Sequence, residues 1–178
     1  MLRINELKAP PSLELFAELV ELLQDSVSGG ASVGWNEVPS TKDARNYWTQ
    51  VLEAVGRGER ALFVATDDHV CSGAIQLALP PRQNARHRGE VQKLMVHAGY
   101  RRKGIGQALL TALEKAAAAR GISLLVLDVR SGDDAERLYA KMGYQFVGKI
   151  PGFLRAVDGT LEPTSIYYRR LSPAAGDM

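Results

Sequence analysis

The chain has 178 residues, 46% hydrophobic and 24% charged, an ordinary globular composition that suits one domain over residues 1–178 with a proper core. A formal net charge of +2 is too small for a nucleic-acid binder, which needs a clustered basic face, and the single cysteine, Cys71, excludes an internal disulfide and a thiolate metal cluster. The opening MLRINELKAPPSLELF lacks the basic start and apolar core of a signal peptide, and no stretch reaches the ~18 apolar residues of a membrane span, so a cytoplasmic domain without a membrane partner is expected.

LRINEL reads as a short strand closed by Pro10 and Pro11. From Ser12 the spacing predicts an amphipathic helix with Leu13, Phe16, Leu19, Val20 and Leu23 on one face, and Ser12 and Glu14 suit its first turn. The glycine-rich loop SGGASVGW, carrying Trp35, precedes a second helix from Thr41 to Gly56. Two strands follow, ALFVAT and CSGAIQLAL, separated by the turn-like DDH. Residues 80–89, PPRQNARHRG, read as a polar, poorly ordered loop before the strand EVQKLMV. Beyond it, Ile105, Ala108, Leu109, Ala112 and Ala116 form an apolar stripe at helical spacing, stopped by Arg120 and Gly121. ISLLVLDV is apolar almost throughout, as expected of a strand buried on both faces. DDAERLYAKM reads as a short helix with Asp133 and Glu136 at capping-box spacing and Gly143 at its end. The strand YQFVGKI, a loop with the Asp158-Gly159 turn and the strand TSIYYRRL close the chain. The order β-α-α-β-β-β-α-β-α-β-β makes a mixed α/β sheet with a strand-loop-helix-strand unit at its centre.

That central unit carries the functional signal. In VQKLMVHAGYRRKGIGQALL, residues 91–110, an apolar strand runs into Arg101, Arg102 and Lys103, then Gly104 and Gly106, then good helix formers. A helix N-terminus exposes unpaired N–H groups and the positive end of the helix dipole, so it attracts anions. The two glycines let a phosphate approach the amides, and the basic residues add charge. A Walker loop is excluded because Gly106 is followed by Gln107 and Ala108, and a dinucleotide fingerprint because its third glycine would fall at Leu109. On the loop alone, a solvated glycine hinge is the competing reading.

Arg101-x-x-Gly104-x-Gly106, after a strand ending in Leu94-Met95-Val96, resembles the pyrophosphate loop of the GNAT superfamily of acetyl-CoA-dependent N-acetyltransferases. AERLYAKMGYQFVG is similar to that superfamily's second signature. GGASVGW near residue 30, EVQKLMV at 90, LD at 127 and PGFLRAVDGTLEPTSIYYRRL at 151 resemble the tabtoxin-resistance type over nearly the whole chain. The resemblance implies a GNAT-like α/β fold: a mixed, mostly antiparallel twisted sheet, flanked by helices, whose central strands splay apart to admit acetyl-CoA.

It also implies roles. The backbone at Leu94, Met95 and Val96 is expected to hold the pantetheine arm and thioester, and the backbone of Arg101, Arg102, Lys103, Gly104, Ile105, Gly106 and Gln107 the pyrophosphate. Tyr139 matches the tyrosine beside the cofactor sulfur, a proton or hydrogen-bond donor to the departing thiolate. An alkylamine, with a pKa of ~10.4, needs deprotonation more than a thiol, at ~8.5, needs help to leave. Asp128 and Glu90 are the candidate bases, directly or through water. Asp128 ranks first, because a carboxylate on a buried strand is costly unless paired or functional. The acceptor pocket is expected from the first two helices, from Gly30, Ser32 and Trp35, and from Phe153 on a hairpin loop spanning Pro151 to Pro163. Gly132 departs from the family pattern, standing where many members carry an asparagine. His69 and His87 read as solvated, His97 follows the cofactor strand, and no histidine–acid set has metal spacing, so no metal is expected.

The expected activity is transfer of acetyl from acetyl-CoA to the primary amine of a small molecule, an amino-acid-like toxin or antibiotic such as tabtoxinine-β-lactam among the candidates. A peptide or protein N-acetyltransferase and a non-catalytic acyl-CoA sensor are the alternatives, and retention of Tyr139 with Asp128 argues against the sensor. The sequence leaves the acceptor and the oligomeric state open, a homodimer included.

Overall fold

Each predicted element forms, in the predicted order. The computed structural model describes residues 1–172 apart from Ala9 and His69, so His69 and the end of the expected domain, residues 173–178, lie outside the described residues. The elements are β1 (Arg3–Glu6), α1 (Leu13–Ser28), α2 (Thr41–Gly56), β2 (Arg60–Asp67), β3 (Val70–Ala78), β4 (Arg88–Val96), α3 (Ile105–Ala119), β5 (Leu124–Arg130), α4 (Ala135–Lys141), β6 (Gln145–Arg155) and β7 (Leu161–Arg170). Serine caps start the first two helices: Ser12 Oγ accepts from the Leu15 amide at 3.2 Å, and Ser40 Oγ from the Asp43 amide at 3.1 Å. Such a cap contributes about 1 kcal/mol.

Several expectations need correction. Leu13 is 82% exposed, whereas the other expected residues of the α1 face, Phe16, Leu19, Val20 and Leu23, meet the core together with Leu22 and Val27. The α3 stripe holds at Ile105, Leu109, Ala112 and Ala116 and also takes in Leu110, Leu113 and Ala117, while Ala108 is only half-buried. Residues 80–89 hold a 3-10 turn at Gln83–Ala85, with Ala85 buried, and the first residues of β4. The capping box at α4 does not form, because the Glu136 carboxylate accepts from the Gly132 amide at 2.9 Å. Pro151 and Pro163 lie inside β6 and β7, so the hairpin loop is shorter than expected. Pro151 sits at an irregularity of an edge strand, where proline is tolerated.

The strands form one seven-stranded sheet in the order β1-β2-β3-β4-β5-β7-β6. All neighbours are antiparallel except β4 and β5. Helices cover both faces. β2 shows why its sequence is apolar without a break: Ala61, Phe63 and Ala65 join the core under α3, while Leu62 and Val64 join the core under α1 and α2. Burying each large apolar side chain contributes about 1.5–3 kcal/mol.

Two irregularities shape the middle of the sheet. Gln76 faces Gln92 but Ala74 faces Met95, so β4 carries one residue more than β3 between these pairs. The bulge contains Lys93, at φ 53. It resets the alternation: Val91, Leu94 and Val96 all pack toward the α3 core, and Met95 toward the other. The parallel pairing of β4 with β5 runs from Arg88↔Leu124 to Glu90↔Val126 and ends there. Beyond that point the two strands diverge.

Gly73 stands behind the bulge on β3, opposite Val96. A Cβ there would lie 2.7 Å from the Met95 carbonyl oxygen and 3.1 and 3.2 Å from the Leu109 and Ile105 side chains. Gly73→Ala is expected to destabilise the fold by about 1–3 kcal/mol, the usual penalty of overpacking. Urea denaturation reads this as a lower midpoint at an unchanged m-value.

Candidate active site

The divergence of β4 and β5 opens a cleft of about 960 Å³. Glu90 to Val96 of β4 and Asp128 to Arg130 of β5 line its two sides, Arg101, Arg102 and Gly104–Gln107 one end, and Gly29–Gly34 the wall beyond α1. Leu138 and Tyr139 of α4 and Leu154 of β6 complete it. The proposed cofactor residues Leu94, Met95, Val96, Arg101, Arg102, Gly104, Ile105, Gly106 and Gln107 therefore face one space, together with Tyr139, Asp128, Glu90, Gly30 and Ser32.

Three expected residues stand apart from that lining. Lys103 is exposed and holds its ammonium 4.9 Å above the Tyr100 ring. Trp35 packs edge-on against Tyr47, centroids 6.5 Å apart, in the core under α1 and α2. Phe153 is 52% exposed on edge strand β6, while its neighbour Leu154 faces the cleft.

The loop before α3 presents groups that could hold an anion. Gly104 caps the helix at φ 80 with no side chain to block the end. The Ala108 amide donates to the Gly104 carbonyl at 3.0 Å, so the amides of Ile105, Gly106 and Gln107 precede the helix's own ladder. A Cβ on Gly106 would come within 3.2 Å of Leu138, so the glycine keeps α3 close to α4. The α3 dipole and the cations Arg101 and Arg102 act at the same mouth.

Tyr139 is buried against Tyr144 and Tyr167, at centroid distances of 5.6 and 6.3 Å. Burial pushes its phenol pKa well above the ordinary value, and the negative charges of Asp133 and Asp128 push it further in the same direction. Tyr139 therefore keeps its proton at neutral pH, as a donor must.

The carboxylates sit differently from the sequence expectation. Asp128 does not end its strand, which continues to Arg130, and it is exposed rather than buried, because β5 has lost its β4 neighbour there. It accepts a hydrogen bond from Thr164 Oγ1 at 3.2 Å. Glu90 lies two residues inside β4 and accepts from Gln92 Nε2 at 2.7 Å. Gln92 in turn accepts from Arg60 Nη1 at 2.8 Å.

Sequence reasoning passed over three residues. Lys93 donates to the Val33 carbonyl, and Arg130 to the Gly30 carbonyl, each at 2.8 Å. Desolvation lowers the Lys93 pKa, against the pull of the Asp128 and Glu90 charges. Ser26 is buried at the end of α1, lines the cleft, and has no hydrogen-bond partner for its hydroxyl among the described residues. A lysine between the polar and the apolar half of β4 was the visible signal for the first, and the other two had none. His97 plays a local part, its Nδ1 accepting from the Gly99 amide at 3.2 Å and its Nε2 lying 3.8 Å from Asp25.

The profile of the acetyltransferase (GNAT) family matches residues 16–144, a span that takes in the anion loop, both carboxylates and Tyr139. The chain belongs to the GNAT acetyltransferase family. It is an acetyltransferase with the family's fold. It is 34% identical to an uncharacterised N-acetyltransferase from the hisH-hisA intergenic region of Azospirillum brasilense, over 64% of this chain and 67% of that one. It is 29% identical to the L-methionine sulfoximine/L-methionine sulfone acetyltransferase of Pseudomonas paraeruginosa, over 75% and 76% of the two chains. YncA of Salmonella typhimurium, solved with its cofactor acetyl-CoA, shares the fold at a TM-score of 0.74 and 17% identity, over 99% of this chain and 98% of that one.

At Gly104 a Cβ would meet nothing within 4 Å, so the φ of +80 alone sets the cost of a side chain. Gly104→Ala in this acetyltransferase is expected to lose about 1 kcal/mol of stability, the penalty of a left-handed L-residue. Chemical denaturation of both proteins at one pH checks it.

Proposed function

We propose that this enzyme transfers the acetyl group of acetyl-CoA to the primary amine of a small, amino-acid-like molecule of the toxin or antibiotic kind, tabtoxinine-β-lactam being one candidate. The observation that carries the reading is a single cleft joining an anion-binding helix end to a buried, protonated tyrosine and two carboxylates. The Pseudomonas paraeruginosa relative, whose name gives methionine sulfoximine and methionine sulfone as acceptors, supports a small amino-acid-like amine.

The residues fit acetyl-CoA. The pyrophosphate would lie against the free amides of Ile105, Gly106 and Gln107, with Arg101 and Arg102 beside it, where Gly104 presents no side chain. The pantetheine arm would lie along β4 between Leu94 and Val96, where pairing with β5 has ended. The thioester supplies an activated acyl carbon and a thiolate leaving group. As the amine nitrogen bonds to that carbon, the carbon–sulfur bond breaks, one proton leaves the nitrogen and one is taken up by sulfur. Asp128, solvated and facing the cleft, takes the amine proton directly or through water. Tyr139, held neutral by burial, gives its proton to the sulfur.

Release of CoA thiol from acetyl-CoA across a panel of amino acids, amino-acid-like β-lactams, polyamines, aminoglycosides and short peptides tests the reading. The chain's own thiol does not interfere, because burial pushes the Cys71 pKa up to about 12. Turnover is expected with an amino-acid-like amine. Turnover confined to peptides would replace the small-molecule reading, and binding of acetyl-CoA without any turnover would favour a sensor.

Tyr139→Phe is expected to lower kcat by roughly 10²-fold, the range for a general acid, while leaving the Kd for acetyl-CoA nearly unchanged. Unchanged turnover removes Tyr139 from the chemistry. Asp128→Asn is expected to lower kcat by a similar ~10²-fold and to abolish the acidic limb of the pH–rate profile, because that limb reports protonation of the base. If the limb survives in Asp128→Asn and vanishes in Glu90→Gln, the base is Glu90.

A further inference from the structure

The acceptor-side wall of the cleft, residues 29–34, is held from across the opening. The amides of Gly29, Gly30 and Ala31 donate back to the carbonyls of Asp25, Val27 and Ser26, closing α1. The carbonyls of Gly30 and Val33 turn the other way. Arg130 Nη2 donates to Gly30 O and Lys93 Nζ to Val33 O, both at 2.8 Å. Lys93 belongs to β4 and Arg130 to β5, so one loop is tied to each of the two strands whose separation makes the cleft.

We propose that Lys93 and Arg130 are positioning residues for the acceptor: together they fix residues 29–34 as the wall of the acceptor pocket, so acceptor affinity depends on them and acetyl-CoA affinity does not. The inference rests on the acetyl-transfer reading, which places the acceptor on this side of the cleft.

Other features converge on the same role. Lys93 occupies the left-handed region at φ 53, a conformation costly for a residue with a Cβ, and backbone strain of this kind persists where surrounding structure over-determines it. The bulge that carries it takes its side chain out of the strand's alternation. Gly34 lies beside the tether, since a Cβ there would come within 2.9 Å of Lys93 Nζ. The charged groups acting on Lys93 are Asp128 of β5, Glu90 of β4 and Arg60 of β2. Arg130 has carboxylates at 3.4 Å (Asp133) and 3.9 Å (Glu162), which anchor its guanidinium while one nitrogen holds the loop.

The test compares Lys93→Met, Arg130→Met and Lys93→Arg with Lys42→Met, a control on the exposed face of α2. Amide hydrogen exchange of the full chain without ligand should speed up over residues 26–36 by about tenfold in both methionine variants of the tether and stay unchanged in the control. With the most active amine of the panel, acceptor KM should rise by about tenfold or more, the scale of losing one hydrogen bond from a charged donor. The calorimetric Kd for acetyl-CoA should stay nearly unchanged, and Lys93→Arg, which keeps a cationic donor, should restore most of the acceptor KM.

Unchanged exchange over 26–36 overturns the tether. A loosened loop with unchanged acceptor KM overturns its role in acceptor binding, as does an equal weakening of acetyl-CoA binding. If the wild type acetylates no amine on the panel, the acetyl-transfer reading fails, and the exchange measurement alone then decides whether the two cations hold the loop.

Discussion

The structure turns on a pairing that stops. β4 and β5 share a parallel ladder for three residues and then separate after Glu90↔Val126. A gap in the middle of a sheet leaves backbone N–H and C=O groups without strand partners, and such groups cost free energy when buried dry. The fold tolerates the gap because both strands are held from their outer sides. β3 pairs along β4 as far as Val96, and β7 pairs along β5 as far as Arg130. The unpaired strand edges then line a cleft, where an extended ligand can take up the hydrogen bonds that the missing neighbour would have made. The bulge at Lys93 serves the same opening, keeping Leu94 and Val96 in the α3 core so that these side chains pack while their backbone stays accessible.

Environment divides the labour among groups that share this space. The charge of Asp128 acts on Tyr139, yet the phenol is buried between two other tyrosines and the carboxylate is exposed where the sheet has parted. Desolvation keeps a proton on the phenol. The proposed acid and base thus share one cleft in unlike surroundings, one buried and one exposed.

Much of this was legible in the residues and some was not, for identifiable reasons. Helix starts at Ser12 and Ser40, the glycine loop and the order of the elements depend on local chemistry, which a sequence states directly. The faces of α1 and α3 were read correctly except at Leu13 and Ala108, because helical periodicity gives a stripe but not how far its neighbours extend: Leu13 fits the pattern, yet it is exposed. Asp128 was read as buried because ISLLVLDV is apolar enough to sit between two neighbours, whereas one neighbour departs halfway along. A departure of that kind is a long-range event with no local mark. Glu136 had the spacing of a capping box, but the Gly132 amide and the Tyr167 hydroxyl, distant in pattern, took its two oxygens. Trp35 sits in a glycine-rich loop that does reach the cleft, and only the position of Tyr47 on the neighbouring helix shows that its ring turns into the core.

The same separation of local and long-range information explains how the two ends of the cleft are built. The anion end uses backbone amides at a helix start, which need little beyond glycine and a helix. The carboxylate end is assembled from distant parts of the chain. Tyr47 of α2 accepts from Gln76 Nε2 at 2.9 Å, Arg60 Nη1 donates to Gln76 at 2.5 Å and to Gln92 at 2.8 Å, and Gln92 donates to Glu90 at 2.7 Å. Gln76 is fully buried, so each link satisfies a polar group that would otherwise be costly, and losing one member exposes its neighbours to the penalty. The loop at residues 29–34, the proposed acceptor wall, is tied to β4 and β5 through Lys93 and Arg130. A change in the loop must therefore keep the two carbonyls within reach of the cations, but the side chains between them are under no such constraint. Under the proposed reading, acceptor preference then shifts by substitution at cleft-lining positions such as Ala31 and Ser32, while the strands, the carboxylates and the glycine loop keep their places.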